Sequence, residues 1–205
     1  MTMNFHSSVF QGLIYNLLQQ PRTDADDGIV LCFTSAQPGE GVTHAVRALA
    51  NELGAQAPGR VARVDMAYLQ TGSLPLSGSA ALAVKPMQAD GLEKRGDPFH
   101  TSTKDLQLNW HGNRQHRRNC INQLRSQFGY VLIDCPSLRT SADVLGIAPL
   151  VDGVLLVVEA NRTQPYQVLH AERQIESSGG SIRGHILNKR KYFIPNWIYR
   201  RLSAT

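Results

Sequence analysis

The chain has 205 residues, with 21 Lys and Arg against 16 Asp and Glu, a formal charge of +5. That length suits one domain with a sizeable core, and 42% hydrophobic and 18% charged residues are ordinary for a globular protein. Three cysteines, Cys32, Cys120 and Cys135, show no metal or disulfide spacing, so a zinc ribbon, a disulfide scaffold and a disordered tail protein are excluded. No 18-residue apolar run is present, and MTMNFHSSVFQ lacks the charged and apolar segments of a signal peptide, so a cytoplasmic protein is expected.

In chain order, Phe5 to Gln19 carries apolar residues at helical spacing (Phe10, Leu13, Ile14, Leu17, Leu18) and predicts a docked N-terminal helix, followed by the link Gln20 to Gly28. Near-continuous apolar runs then predict five strands: Ile29 to Thr34, Arg60 to Asp65, Tyr130 to Cys135, Gly153 to Glu159 and Arg183 to Asn188. Helices are predicted at Thr43 to Leu53, Asn119 to Phe128, Ser141 to Ala148 and Gln164 to Ser177. Runs without alternation suit parallel strands buried on both faces. The fold class expected is therefore α/β, a doubly wound, mostly parallel sheet flanked by helices, with its ligand crevice at the carboxyl ends of the strands. Met66 to Trp110, rich in Gly, Ser, Pro and Ala, reads as loops and short helices, a variable region spanning 66–110.

Directly after the first strand comes SAQPGEGVTH. A strand, a Gly-rich turn and a helix start would present backbone N–H groups and a helix dipole to a phosphate. Pro38, Gly39, Glu40, Gly41, Val42 and Thr43 are thus the candidate nucleotide-binding loop. A working P-loop has Lys before the Ser/Thr; here Val42 stands there. Removing one such electrostatic stabiliser costs about 3 to 4 kcal/mol, roughly 100 to 1000-fold in rate. Efficient phosphoryl transfer is not expected, and a simple strand-to-helix turn is the alternative.

SAQPGEGVTHAVRALANELG, RVARVDMAYL, GYVLIDCPSLRTSADVLGIAPLVDGVLLVVEA and HILNKRKYFIPNWIYRRL resemble the nucleotide-binding domain of the bacterial tyrosine autokinases of capsule and exopolysaccharide systems. Those kinases lie within the wider P-loop ATPase family that includes MinD and ParA. The resemblance implies a P-loop NTPase-like domain over residues 1–205. It implies Asp134 as the Walker B carboxylate and, with Thr43, a Mg²⁺ ligand. It implies Asp65 as the first acid of a second motif, whose later acid and base are here Ala67 and Leu69. Asn188 matches a position that hydrogen-bonds adenine. Each carries a plainer alternative: Asp65 and Asp134 as strand-end carboxylates bonded to nearby N–H groups, Asn188 as an Asx turn. Asp143 is expected to cap or orient a helix and Asp152 to make a turn.

The ends depart from the resembled pattern. Ser8, Gln11 and Ile14 stand where ring-forming charges are common, so the oligomeric state is left open. From Arg183 onward six basic residues occur with no acid, which leaves the remaining chain near neutral. The tail 189–205 interleaves these with aromatics. Trp197, Ile198, Arg200 and Arg201 suit an anionic membrane surface or a groove on a membrane-anchored partner, with nucleic acid ranked below both and cover for the sheet edge as the plain alternative. Tyr192 and Tyr199 are candidate phosphate acceptors by analogy alone. His111, His116, Arg114, Arg117 and Arg118 read as a solvated basic patch ahead of a helix.

The expected function is accordingly a degenerate, kinase-like regulator or scaffold of bacterial exopolysaccharide synthesis and export. It would bind ATP or ADP with Mg²⁺ weakly or not at all, and meet an inner-membrane co-polymerase or synthase at the inner face of the cytoplasmic membrane. The alternatives are a slow ATPase or tyrosine autokinase, with Arg63, Arg139 or a neighbouring subunit supplying the missing cation, and a MinD-like or ParA-like positioning ATPase.

Overall fold

The computed structural model describes residues 10–15, 28–57, 61–71 and 113–190. Five parallel strands form one sheet: β1 (Ile29–Ser35), β2 (Val61–Asp65), β3 (Tyr130–Asp134), β4 (Gly153–Glu159) and β5 (Ile182–Asn188), in the order β2-β3-β1-β4-β5. Among the described residues six helices accompany them: α1 (residues 10–15), α2 (Val42–Gln56), α3 (Met66–Thr71), α4 (Arg114–Gln127), α5 (Asp143–Ile147) and α6 (Pro165–Ser177). A short 3₁₀ turn, Ala148–Leu150, follows α5.

The sheet explains the lack of alternation in its strands. Ile29, Leu31, Phe33, Tyr130, Leu132, Leu155 and Val157 face a core shared with Phe10 and Ile14 of α1 and Val46, Leu49 and Leu53 of α2. Their neighbours Val30, Cys32, Val131, Ile133, Val154 and Leu156 face a second core with Ile121 and Leu124 of α4, Val144 and Ile147 of α5, and Ile175 of α6. With period two and both faces covered, the central strands are apolar along their length, and the buried polar residues Thr34, Ser35 and Asp134 stand at their carboxyl ends. The edge strands β2 and β5 are only partly buried, and β5 alternates, with Ile186 inward and Leu187 54% exposed.

The predicted elements are largely present, with one correction. Helix α4 begins at Arg114, because the Asn113 side chain accepts the His116 N–H at 3.0 Å and caps it. Its first turns are Arg- and His-rich, so the apolar spacing becomes visible only from Cys120, and Arg114, Arg117 and Arg118 lie in the helix instead of ahead of it. The region 66–110 starts with a helix, α3, whose Met66 and Leu69 are buried; residues 72–110 lie outside the described residues. Of the N-terminal helix, residues 10–15 are described, and Ile14, at a ring-contact position of the resembled kinases, is 1% exposed in the core.

Topology places the site. The chain leaves β1 toward one edge through α2, and after β3 it crosses β1 to β4. The crevice therefore opens past the carboxyl ends of β1 and β3. At the opposite end, Asp152 makes the turn into β4 as expected, accepting the Val30 N–H at 2.7 Å and the Arg125 guanidinium at 2.8 Å.

Candidate functional site

Past β1 the backbone turns through two left-handed glycines, Gly39 at φ 82° and Gly41 at φ 94°. Only glycine takes that conformation freely, and Gly41 is also the N-cap of α2. It supplies no side-chain cap. A Cβ there would lie 2.2 Å from Asn188 Nδ2, so glycine is required sterically as well.

Val42, where a P-loop carries Lys, is 9% exposed and joins the apolar cluster between α2 and the sheet. Thr43 is exposed and faces a cavity of about 310 Å³ that it lines with Asp65, Asp134, Cys135 and Asp143. Asp65 and Asp134 are register partners at the ends of β2 and β3. Burial pushes the Asp134 carboxyl above the ordinary carboxylate range, opposed by its hydrogen bond with Thr43 and by the positive charges of Arg63 and Arg47. Asp65 accepts the Ala67 N–H at 2.9 Å, the local bond of its plainer reading.

Asp143 stands in the first turn of α5 but does not cap it. Ala142 is the N-cap of α5 without a side-chain bond, the Asp143 N–H donates to Ser141 Oγ at 3.1 Å, and the Asp143 carboxylate accepts from the same hydroxyl. Its carboxyl lines the cavity, which the sequence reading missed because its spacing suggested only a helix start.

Three carboxylates and one hydroxyl, with no Lys or Arg, line this cavity. Among the described residues no three His, Cys, Asp or Glu side chains cluster as a metal site. One carboxylate and one hydroxyl of hard oxygen would suit a Mg²⁺ ion that arrives with a phosphate. Thr43 and Asp134 are the residues that would hold it.

The loop is braced from its outer side. Glu40 is buried; its carboxylate accepts the Gln37 N–H at 3.0 Å and the Thr163 hydroxyl. Asn188 Nδ2 donates to the Glu40 carbonyl at 2.8 Å, and Asn188 Oδ1 accepts the Lys189 N–H at 2.9 Å. Asn188 thus touches the loop, a contact neither of its two readings contained. Lys189, at φ 54°, donates its ammonium to the Gly39 carbonyl at 2.6 Å and to Glu159 at 3.1 Å. Lys189, the first residue of the basic segment 189–205, thus contacts the loop. Arg139 donates to the Gln37 side chain at 2.8 Å, beside a second cleft of about 280 Å³ that Tyr166 and His170 help line. Tyr192, Trp197, Ile198, Tyr199, Arg200 and Arg201, and with them the tail reading, lie outside the described residues. No helix among the described residues is long and apolar enough to cross a membrane.

No family model matches the chain. Over 69 residues, 34% of this chain and 30% of the relative, it is 38% identical to the tyrosine-protein kinase CpsD of Streptococcus agalactiae. Over 74 residues, 35% of this chain and 9% of the relative, it is 42% identical to the succinoglycan biosynthesis transport protein ExoP of Rhizobium meliloti strain 1021. The chain therefore covers less than a third of the length of either relative. In fold it is similar to the VpsO kinase domain, with a TM-score of 0.63 at 20% identity over 91% of this chain and 95% of that one. The chain resembles the bacterial tyrosine kinases in sequence, and its fold is the α/β P-loop NTPase fold of their kinase domains.

Proposed function

We propose that this protein is a kinase-like P-loop domain that regulates or scaffolds bacterial exopolysaccharide synthesis or export, and that it does not transfer phosphate efficiently. The observation that carries this reading is the lining of the 310 Å³ cavity: Thr43, Asp65, Asp134 and Asp143 remain, while Val42 is turned into the core. A triphosphate entering there meets carboxylates and no lysine, so its charge is opposed by the site and ATP or ADP binds weakly, through Mg²⁺ and the loop N–H groups. What is retained is a rigid fold with a braced loop. The similarity to CpsD, a tyrosine-protein kinase, and to ExoP, a succinoglycan biosynthesis transport protein, supports a place in polysaccharide production. The partner in this reading is a membrane-anchored co-polymerase or synthase component met at the inner membrane face, with the aromatic and basic residues Trp197, Ile198, Arg200 and Arg201 as the contact.

The second reading, a slow ATPase or tyrosine autokinase, has one observation in its favour. The charges of Arg63 and Arg47 act on Asp134, partly opposing the burial that raises its carboxyl, so cations flank the site even though none lines it. ATP turnover and phosphotyrosine formation, measured with Mg²⁺ on the wild type and on Asp134→Ala, separate the two. Turnover at background level in both proteins is expected. Mg²⁺-dependent turnover or tyrosine phosphorylation that disappears in Asp134→Ala overturns the proposal.

A further inference from the structure

Two thiols meet beneath the cavity. Cys32 lies within β1 and Cys135 directly after β3, and although 103 positions separate them their Sγ atoms are 2.9 Å apart. The sheet brings them together: Phe33 is the register partner of Asp134, and the Cys135 N–H continues the ladder by donating to the Phe33 carbonyl at 2.9 Å. Side chains alternate along a strand, so Cys32 and Cys135 project to the same face, into the core that α4, α5 and α6 cover. A formed disulfide has its sulfurs about 2.05 Å apart, roughly 0.9 Å closer than these two thiols stand. The two differ in access. Cys32 is fully enclosed, whereas Cys135 is 3% exposed and lines the 310 Å³ cavity.

We propose that Cys32 and Cys135 form a reversible disulfide within the chain when the protein meets hydrogen peroxide. Cys135 reacts first, because of the two residues it is the one with any exposure and the one that borders the cavity. Its sulfur attacks one peroxide oxygen, the O–O bond breaks, and the departing hydroxide leaves as water with the thiol proton; Cys135 is now a sulfenic acid. The Cys32 sulfur then attacks the sulfenic sulfur, the S–S bond forms, and the displaced hydroxide leaves as a second water with the Cys32 proton. Two thiols supply the two electrons that the hydrogen peroxide accepts. Burial keeps both groups out of bulk water, so the reaction is slow and needs prolonged exposure. Cys120 takes no part: it lies on α4 beside His116, with Nε2 3.7 Å from its sulfur, and has no thiol neighbour. The new bond ties the residue after Asp134 to β1 and stiffens the cavity floor.

The test uses the full chain, purified with reductant, freed of it, and held folded in hydrogen peroxide without nucleotide. After quenching, alkylation in denaturant and peptide mass mapping count the free thiols. The expected result is loss of two of the three alkylatable thiols, a mass lower by two hydrogen atoms, a linked peptide pair containing Cys32 and Cys135, an alkylated Cys120, and full reversal by dithiothreitol. Three free thiols after exposure, or Cys135 oxidised to the sulfinic acid with Cys32 still alkylatable, overturn the proposal. The outcome does not depend on nucleotide binding, so it stands or falls separately from the proposed function.

Discussion

Lys189 shows how a single residue at the end of an edge strand can hold the loop across the sheet. Its left-handed backbone, φ 54°, turns its side chain back from β5, so that the ammonium reaches both the Gly39 carbonyl and the Glu159 carboxylate. The Lys189 hydrogen bond is the main cause that keeps the Glu159 carboxyl below the ordinary carboxylate range, with Arg162 adding to it. The sign follows from linkage. A carboxyl whose folded pKa is lowered contributes stability above its unfolded value, 4.5, and loses that contribution as the pH falls through the lowered folded value. Thermal melts of the wild type and Lys189→Met across that acid window are expected to differ most at neutral pH and to draw closer as Glu159 is protonated, the bond to the Gly39 carbonyl leaving a residual gap. A gap that stays constant with pH would show that Glu159 and Lys189 do not stabilise the fold through their charges.

At the scale of elements, α1 and α2 cover one face of the sheet and α4, α5 and α6 the other. The described part of α1 contributes Phe10 and Ile14 to the same cluster as Leu49 and Leu53 of α2, so it is part of the core and not an appendage. Deleting most of a buried side chain removes its transfer free energy and leaves a cavity, together about 2 to 5 kcal/mol for Ile→Ala. Ile14→Ala is therefore expected to lower the unfolding free energy by about that amount in a denaturant titration, with little effect on oligomeric state in sedimentation. Unchanged stability with altered assembly would instead mean that Ile14 serves contacts between subunits.

For the whole molecule, the fold was legible because its central strands are buried on both faces, which leaves continuous apolar runs such as YVLID and GVLLVVE. The boundaries that sequence missed are those set by polar groups: α4 starts at an Asn113 cap amid arginines, and α3 is too short for two buried residues to reveal a period. The site was legible where chemistry and chain order coincide, as in the loop from Gly39 to Thr43 and the strand-end pair Asp65 and Asp134. It was illegible where distant segments meet. The Asp143 carboxyl in the cavity, Lys189 on Gly39, and Cys32 against Cys135 depend on the sheet order β2-β3-β1-β4-β5, which no local pattern encodes. The same topology gathers the carboxylates at one end of the sheet while Val42 is withdrawn into the core, and this asymmetry is the basis of the proposed function. Calorimetric titration of ATP and ADP, with and without Mg²⁺, into the wild type and Val42→Lys tests it most directly, since a lysine stem can thread out of a buried position and place its charge at the loop. Weak or undetectable binding to the wild type, with Mg²⁺-dependent binding gained in Val42→Lys, is the predicted result. Micromolar Mg²⁺-dependent binding to the wild type, unimproved by the lysine, would contradict it.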